Sequence, residues 1–231
     1  MLDFTAISPH IRIKISPKAK RLALRLDGSK RHINLVIPPK ASLQKAYEFA
    51  QINHLWIKNK IDELPPAIPY INGITIPIMG INRTLRIIRE GKITQIELTD
   101  TELVVISPIE DPSPRIGRYL RNLALQKLGE LARIKASQIN RKLSKFSVRD
   151  TKSRWGSCSI DGRMTLSWRL IFAPISSIDY VISHEVAHLI HPNHGEDFWI
   201  LCQNLSIDFP TGYNWMKKNG ASLARYGEIP L

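Results

Sequence analysis

The residues best suited to chemistry lie in the last quarter of the chain. His184 and His188 are four residues apart, and Glu185 directly follows the first of them. On an α-helix, residues at this spacing share one face, with Cβ atoms about 5–6 Å apart. Two such imidazoles can bind one Zn²⁺ at about 2.0–2.1 Å each. Glu185 would then lie near the open side of the metal, where it can accept a proton from a zinc-bound water.

A catalytic zinc also needs a third protein ligand. His194 follows His188 by six residues, which is the spacing of the third histidine in metzincin peptidases, although those have a glycine where this chain has His191. Pro192 disfavours helix at the residue before it, so we expect the helix to end near His191 and the chain to fold back. The predicted metal ligands are His184, His188 and His194, and the predicted catalytic base is Glu185.

The segments around this run are predicted to position it. Pro174 and the polar residues at 176–179 predict a helix start. Asn193 and Glu196 have the spacing of a capping box for a second helix from Gly195 to Leu205. Upstream, the pattern predicts a long amphipathic helix, a strand and a hairpin. The helix is predicted over Pro114 to Leu143, the strand at Phe146 to Arg149, and the hairpin over Ser153 to Ser159 and Arg163 to Phe172.

Several short motifs resemble a known family. They are Arg154-Trp155-Gly156-Ser157-Cys158, Leu166-Ser167-Trp168-Arg169-Leu170, the run through His194, Phe198-Trp199, and amino-terminal runs at 18–25, 36–39 and 56–57. Together they resemble the YgjP-like metallopeptidases, relatives of the SprT and WLM zinc peptidases, over roughly Ile11 to Gly220. The resemblance implies an α+β fold in which a β-rich amino-terminal region with one helix precedes a zincin-like domain. In that domain we expect a small sheet, an active-site helix and flanking helices.

The resemblance also implies how a substrate is held. Peptidases of this kind bind an extended chain along a strand edge beside the metal helix, through main-chain hydrogen bonds. We expect the Trp155 strand or the Met164-to-Trp168 strand to supply this edge. Tyr213, His191 and Arg154 are the candidates for stabilising the oxyanion, and Phe198 and Trp199 are expected to seal the far side of the site.

The first half of the chain shows no chemical motif. Alternating apolar residues predict strands at Ile11 to Ile15, Leu22 to Leu26 and Ile33 to Ile37, and further strands between Tyr70 and Ile106. Helical spacing predicts one helix from Ser42 to Leu64. Because Asp111-Pro112-Ser113-Pro114 is the best linker candidate, we predict two domains, residues 1–110 and 111–231.

Composition narrows the class of protein. The 231 residues are 43% hydrophobic, which is enough for a substantial core. No run approaches the roughly 18 apolar residues of a membrane span, and the first residues lack the pattern of a signal peptide. We therefore expect a cytoplasmic protein that does not associate with membranes. The two cysteines, Cys158 and Cys202, form no Cys-x-x-Cys pair, so a cysteine zinc site is not expected.

The charge is strongly positive, at +13 from 33 basic and 20 acidic residues. Clustered cations can bind nucleic acid by releasing counterions from phosphate, or can simply solvate the surface. The basic residues fall in two stretches. The first is Arg12, Lys14, Lys18, Lys20, Arg21, Arg25, Lys30, Arg31, Lys40 and Lys45, and the second is Arg115, Arg118, Arg121, Lys127, Arg133, Lys135, Arg141, Lys142 and Lys145.

Three functions are compatible with these patterns. The first is a zinc metallopeptidase that hydrolyses peptide bonds of a protein or peptide substrate. The second is the same catalytic unit acting on DNA-bound proteins, as SprT-like relatives act on DNA–protein crosslinks. The third is a non-catalytic zinc-binding or nucleic-acid-binding protein, against which Glu185 counts because a structural site has no need of a base. The identity of the substrate and the oligomeric state are left open.

Overall fold

A computed structural model describes residues 2–27, 31–151 and 154–227 of the chain. Lys30 and Ser153, which belong to the predicted basic stretch and hairpin, lie outside these ranges. The contacts divide the chain into two units, Met1–Ala67 and Ile68–Leu231. Each unit has its own cluster of buried apolar side chains.

The amino-terminal unit is built on a three-stranded sheet. Its strands are β1 (Ile11–Ile15), β2 (Ala23–Asp27) and β3 (His32–Ile37), in the order β1-β3-β2. The central strand β3 pairs parallel with β1 and antiparallel with β2. Ile33 and Leu35 of β3 are fully buried, in one cluster with Ala46, Ala50 and Ile57 from the helices that follow.

Two helices stand where one was predicted between Ser42 and Leu64. The first, α1, spans Leu43–Ile52 and the second, α2, spans His54–Asp62. The Nδ2 of Asn53 donates a 2.7 Å hydrogen bond to the carbonyl of Phe49. Because asparagine side chains compete in this way with the helix backbone, the apolar period continues across Asn53 while the helix does not.

The carboxy-terminal unit begins with a four-stranded sheet. Its strands are β4 (Thr75–Ile78), β5 (Ile81–Ile88), β6 (Gln95–Leu98) and β7 (Glu102–Ile106), in the order β4-β5-β7-β6. The long helix α3 follows at Ser113–Gln138 and ends five residues earlier than predicted. Side chains of this sheet and of α3 share one core cluster. The contacts therefore divide the chain after Ala67, and the domain boundary after residue 110 stays a prediction.

A second small sheet leads into the site. It contains β8 (Lys145–Arg149), β9 (Gly156–Cys158) and β10 (Arg163–Ser167), in the order β8-β10-β9. The predicted second hairpin strand ends early, because residues Trp168–Phe172 form a 3₁₀ helix. Since β10 is central, it cannot offer a free edge, and β9 is the edge strand of the two proposed from the sequence. Trp168 and Arg169 are both buried: the indole packs in the core, and the guanidinium forms an ion pair with Asp150.

Three helices complete the unit. They are α4 (Ile175–Ala187), α5 (Glu196–Leu205) and α6 (Phe209–Asn219), and a 3₁₀ helix follows at Gly220–Arg225. None of the helices in the described ranges combines the length and apolar character needed to cross a bilayer. The predicted α+β class, with a β-rich amino-terminal region, is confirmed.

A buried ion pair ties α3 to α4. Lys135 and Asp179 are 6% and 5% exposed, and the Nζ of Lys135 lies 2.6 Å from Oδ1 of Asp179. The same ammonium donates to the carbonyl of Leu205. The other carboxylate oxygen of Asp179 accepts from the backbone N–H of Ile207 at 2.8 Å. Lys135 therefore holds the active-site helix and the end of α5 together, and does not belong to a solvated basic surface.

The first residue of the carboxy-terminal unit contacts the last described segment of the chain. The N–H of Ile68 donates to the carbonyl of Arg225, and the N–H of Gly227 donates to the carbonyl of Ile68, each at 2.8 Å. The buried guanidinium of Arg169 donates to the carbonyls of Ala224 and Tyr226 at 3.0 and 2.9 Å. These bonds fix the last described residues against the first residue of the unit.

Candidate metal centre

Three imidazoles converge at the end of α4. His184 lies in the last turn of the helix, His188 is its C-cap residue, and His194 lies in the loop before α5. One ring nitrogen from each lies within 4.8 Å of the other two. The Nε2 atoms of His184 and His194 are 3.1 Å apart. The structure thus brings together all three histidines chosen from the sequence.

The local backbone explains how the third histidine arrives. The helix α4 ends at Ala187, earlier than predicted, but His188 keeps a helical conformation with φ −65° and ψ −14°. His188 therefore stays on the same face as His184. The chain then turns, with the N–H of His191 donating to the carbonyl of Ala187 at 2.9 Å. The predicted capping box is wrong, because Gly195 is the N-cap of α5 and no side chain caps that helix.

One aromatic ring supports all three imidazoles. Phe198 is fully buried, and its ring centroid lies 5.0, 4.7 and 4.6 Å from those of His184, His188 and His194. Trp199 lies beside it, 5.8 Å from His184 and 5.7 Å from His194. The first turn of α5 therefore closes the far side of the centre, where Phe198 and Trp199 were expected.

The second ring nitrogens of the histidines differ in their partners. The Nδ1 of His188 lies 3.0 Å from the backbone carbonyl of His191. This is the outer hydrogen bond that usually orients a metal-binding histidine. The Nδ1 of His184 is buried and has no hydrogen-bond partner within the described residues. Ring packing against Phe198 and Trp199 therefore orients His184.

The donor set fits a metal ion. Burial and the neighbouring imidazoles lower the pKa of His184 to about 4, and burial also lowers that of His188. Both rings are thus neutral at pH 7, which is the form that binds metals. Two nitrogens on one tetrahedral zinc would lie about 3.3–3.4 Å apart, close to the observed 3.1 Å between His184 and His194.

Glu185 is buried beside the imidazoles. Its side chain faces β9, and the residue is 6% exposed. Burial raises its pKa to about 7, although the charge of Arg154 and a hydrogen bond from the Cys158 backbone N–H act in the opposite direction. A Cβ added at Gly156 would lie 2.5 Å from Oε1 and 2.6 Å from Cγ of Glu185. The absence of a side chain at Gly156 therefore makes room for this carboxyl group.

Two cavities flank the carboxyl group. Both are lined by Arg154, Gly156, His184 and Glu185. The aromatic cavity, about 420 Å³, adds Trp155, Tyr180, Val181, Tyr213, Met216 and Lys217. The loop cavity, about 460 Å³, adds Ser157, Cys158, Ser159, Ile160, His188, Pro192 and His194. The cavities lie towards opposite ends of β9, so a chain laid along that strand would pass both.

The three residues predicted as candidates for stabilising the oxyanion differ in their position relative to the two cavities. Arg154 lines both cavities and Tyr213 lines the aromatic cavity, whereas the side chain of His191 lines neither. His191 contributes through its backbone carbonyl to His188 instead. Tyr180 was missed in the sequence, although it precedes His184 by four residues and helical spacing places it on the same face.

Cys158 lies at the site without the properties of a nucleophile. Burial raises the pKa of its thiol to about 12, and the nearby carboxyl groups of Glu185 and Asp161 act in the same direction. The thiol is therefore protonated at neutral pH and packs in the wall of the loop cavity.

Histidines one helical turn apart, a third histidine from the next loop and a buried carboxyl group form a site of the metal-dependent hydrolase type. The sequence pattern of the YgjP-like metallopeptidase domain matches residues 20–219. The chain therefore belongs to the YgjP-like metallopeptidase family, and the match includes residues of both units. No curated protein and no solved structure matches the chain significantly.

Proposed function

We propose that this chain is a zinc-dependent metallopeptidase that hydrolyses peptide bonds. His184, His188 and His194 hold the metal, and Glu185 is the general base. The convergence of three imidazoles beside a buried carboxyl group carries this proposal. Family membership supports the broader assignment to metal-dependent peptidases.

A metal ion held by the three histidines would act as a Lewis acid, which would polarise the scissile carbonyl and acidify a water. Glu185 takes the proton of the attacking water and returns it to the leaving amine. In the metal-free site burial raises the pKa of Glu185 to about 7, so this carboxyl group accepts a proton more readily than an exposed glutamate does. Gly156 and the Cys158 N–H hold the carboxyl group in place, and Arg154 lies close enough to influence its charge.

The edge of β9 offers the substrate a backbone partner. One side of β9 pairs with β10, with Gly156 opposite Leu166 and Cys158 opposite Met164. The other side is the sheet edge, where the Cys158 N–H donates to Glu185 and an extended peptide can add to the remaining main-chain groups as a further strand. Such a peptide would pass Glu185 at Gly156. Because these hydrogen bonds involve only the main chain, they allow many sequences to bind.

Two substitutions test the metal and base roles separately. Glu185→Gln should retain bound zinc and lose peptide hydrolysis by at least about 100-fold, because it removes the proton acceptor. His194→Ala should lose both zinc and activity. His191→Ala is the matched control for His194→Ala, since its side chain lies outside the cluster, and it should keep zinc. Metal content is measured by mass spectrometry, and hydrolysis with a denatured protein substrate.

The outcomes separate the roles. A Glu185→Gln protein that cleaves as fast as the parent would remove the general-base role. Full zinc content in His194→Ala would remove the third ligand. A parent protein that binds zinc but hydrolyses no peptide would favour the non-catalytic alternative.

A basic ridge on α3 supports a second candidate, a peptidase that acts on nucleic-acid-bound proteins. Arg115, Arg118 and Arg133 are all exposed on this helix. Arg115 and Arg133 are five helical turns apart, so they point the same way about 27 Å apart, with Arg118 about 60° from both. Phosphates could follow this ridge, and DNA affinity should then fall steeply with salt. Unchanged affinity in an Arg118→Glu/Arg133→Glu protein would exclude the ridge as the DNA contact.

A further inference from the structure

The aromatic cavity has the character of a side-chain binding pocket. We propose that it receives a large apolar side chain from a residue that flanks the scissile bond. We further propose that a carboxylate near this side chain, from an acidic residue or from the peptide terminus, binds at the cavity rim. This inference rests on the proposed peptidase function and specifies its substrate class.

The walls of the cavity are apolar and aromatic. Val181 and Met216 are 5% and 8% exposed, so both present a packed apolar surface. Trp155 and Tyr180 add two ring systems. A volume of about 420 Å³ lies within the usual range of about 300–1,000 Å³ for ligand pockets. A branched or aromatic side chain would therefore leave water for an apolar surface.

Two close backbone approaches fix the walls before any substrate binds. A Cβ at Gly212 would meet the Ser176 carbonyl and lie 2.7 Å from Cβ of Tyr180, so α6 lies directly against α4. A Cβ at Gly220 would lie 3.0 Å from the indole nitrogen of Trp155. The pocket is thus lined by the packed helices α4 and α6 and by Trp155, which is held against Gly220, and such fixed walls reduce the ordering cost of binding.

The position of the aromatic cavity determines which residue of the substrate can place its side chain there. His184 and Glu185 form part of its lining. A side chain that enters it must therefore belong to a residue next to the bond under attack. The edge of β9 can bind any extended chain, so the aromatic cavity is where sequence preference arises.

The two cations at the rim of the aromatic cavity, Arg154 and Lys217, favour substrates with a nearby negative charge. Arg154 and Lys217 are the cations that line the cavity, and Glu185 is its one acidic residue. Neither cation forms a salt bridge within the described part of the chain. Both are exposed, so a substrate carboxylate near them gains a few-fold advantage rather than a large one.

A peptide library tests the inference with the full-length, zinc-loaded protein. Its peptides vary the residues on either side of the cleaved bond, and each is made with a free and an amidated carboxyl terminus. The parent should prefer Leu, Phe or Tyr over Ala at one flanking position by about tenfold or more. Met216→Ala should shift that preference towards larger side chains by about tenfold, because it enlarges the pocket.

Lys217→Glu probes the rim without touching the core. It should reduce the preference for a nearby carboxylate by about fivefold. Lys218→Glu is the matched control, since this neighbour is also exposed on α6 but does not line the cavity, and it should change nothing. Loss of preference on amidation identifies the terminal carboxylate as the bound group, and its persistence identifies an acidic side chain.

Failure of the inference can be distinguished from failure of the proposed function. If the parent cleaves no peptide in the library, the peptidase function fails. If it cleaves without an apolar preference, or with a profile that Met216→Ala and Lys217→Glu leave unchanged, the pocket assignment is overturned. Because Lys217 is exposed, its variant gives a result even where Met216→Ala reduces folding.

Discussion

Gly156→Ala is the sharpest single perturbation of the site. The backbone of Gly156 does not adopt a positive φ, so alanine adds no backbone strain. The added methyl, however, would lie 2.5 Å from Oε1 of Glu185, where an ordinary contact begins at 3.4 Å. The carboxyl group must therefore retreat by about 0.9 Å, while the three imidazoles on the other side of the centre are untouched.

The magnitude follows from this displacement. A misplacement of about 1 Å costs roughly 100-fold in rate. Overpacking a tight site also costs about 1–3 kcal/mol of stability, or about 2–12 °C in Tm for a unit of this size. We expect kcat/KM to fall by about 100-fold, with zinc content unchanged and a modest loss of thermal stability.

Three measurements on one protein preparation test this. They are peptide hydrolysis, metal content and the thermal unfolding midpoint. Gly195→Ala is the matched control, because no atom lies within 4 Å of the Cβ it would add, and it should behave like the parent. If Gly156→Ala folds and hydrolyses peptides at the parental rate, the position of the Glu185 carboxyl group is not what limits catalysis, and the reasoning fails.

Two further predictions concern stability and reactivity. Lys135→Met should destabilise the protein by about 3–5 kcal/mol in urea unfolding, because it leaves Asp179 as a buried, unpaired charge. Lys127→Met, which breaks an exposed pair, should cost under about 1 kcal/mol, and equal costs would refute the distinction. Burial raises the pKa of Cys202 to about 12, so its thiol should resist alkylation at pH 8 until urea unfolds the protein. Rapid alkylation of the native protein would contradict this.

The centre was largely predictable because its key residues are close in sequence. A spacing of four places His184 and His188 on one helical face, and Pro192 signals the turn that returns His194. The opposite side of the site was not predictable in this way. Gly156 precedes Glu185 by 29 residues in the sequence, and no local pattern shows which strand will approach the helix.

The buried position of Lys135 could have been predicted from the sequence, although Lys135 was assigned to the basic stretch. It was grouped with the basic stretch by its charge, yet it lies at helical spacing from Leu128 and Ala132, both fully buried. The apolar period of α3 thus placed it on the inner face. Its partner Asp179 is far away in sequence, so the ion pair itself required the tertiary structure.

The break between α1 and α2 could not be predicted from the apolar pattern. The apolar residues on both sides of Asn53 keep one helical period, so periodicity alone joins them into one helix. A single side-chain hydrogen bond to Phe49 interrupts the backbone there. Periodicity reports which face is buried, whereas such local competition decides where a helix stops.

The pairing of Ile68 with the last described residues has a consequence for protein engineering. Because residues 68 and 227 are neighbours, a short linker could join them in a circularly permuted form of this unit. The turn around Gly91, between β5 and β6, offers an exposed place to open new termini. Conversely, cutting the chain before Ala224 would remove two carbonyl partners from the buried Arg169 guanidinium as well as the strand-like contact at Ile68. Truncations that remove residues 224–227 should therefore destabilise the carboxy-terminal unit.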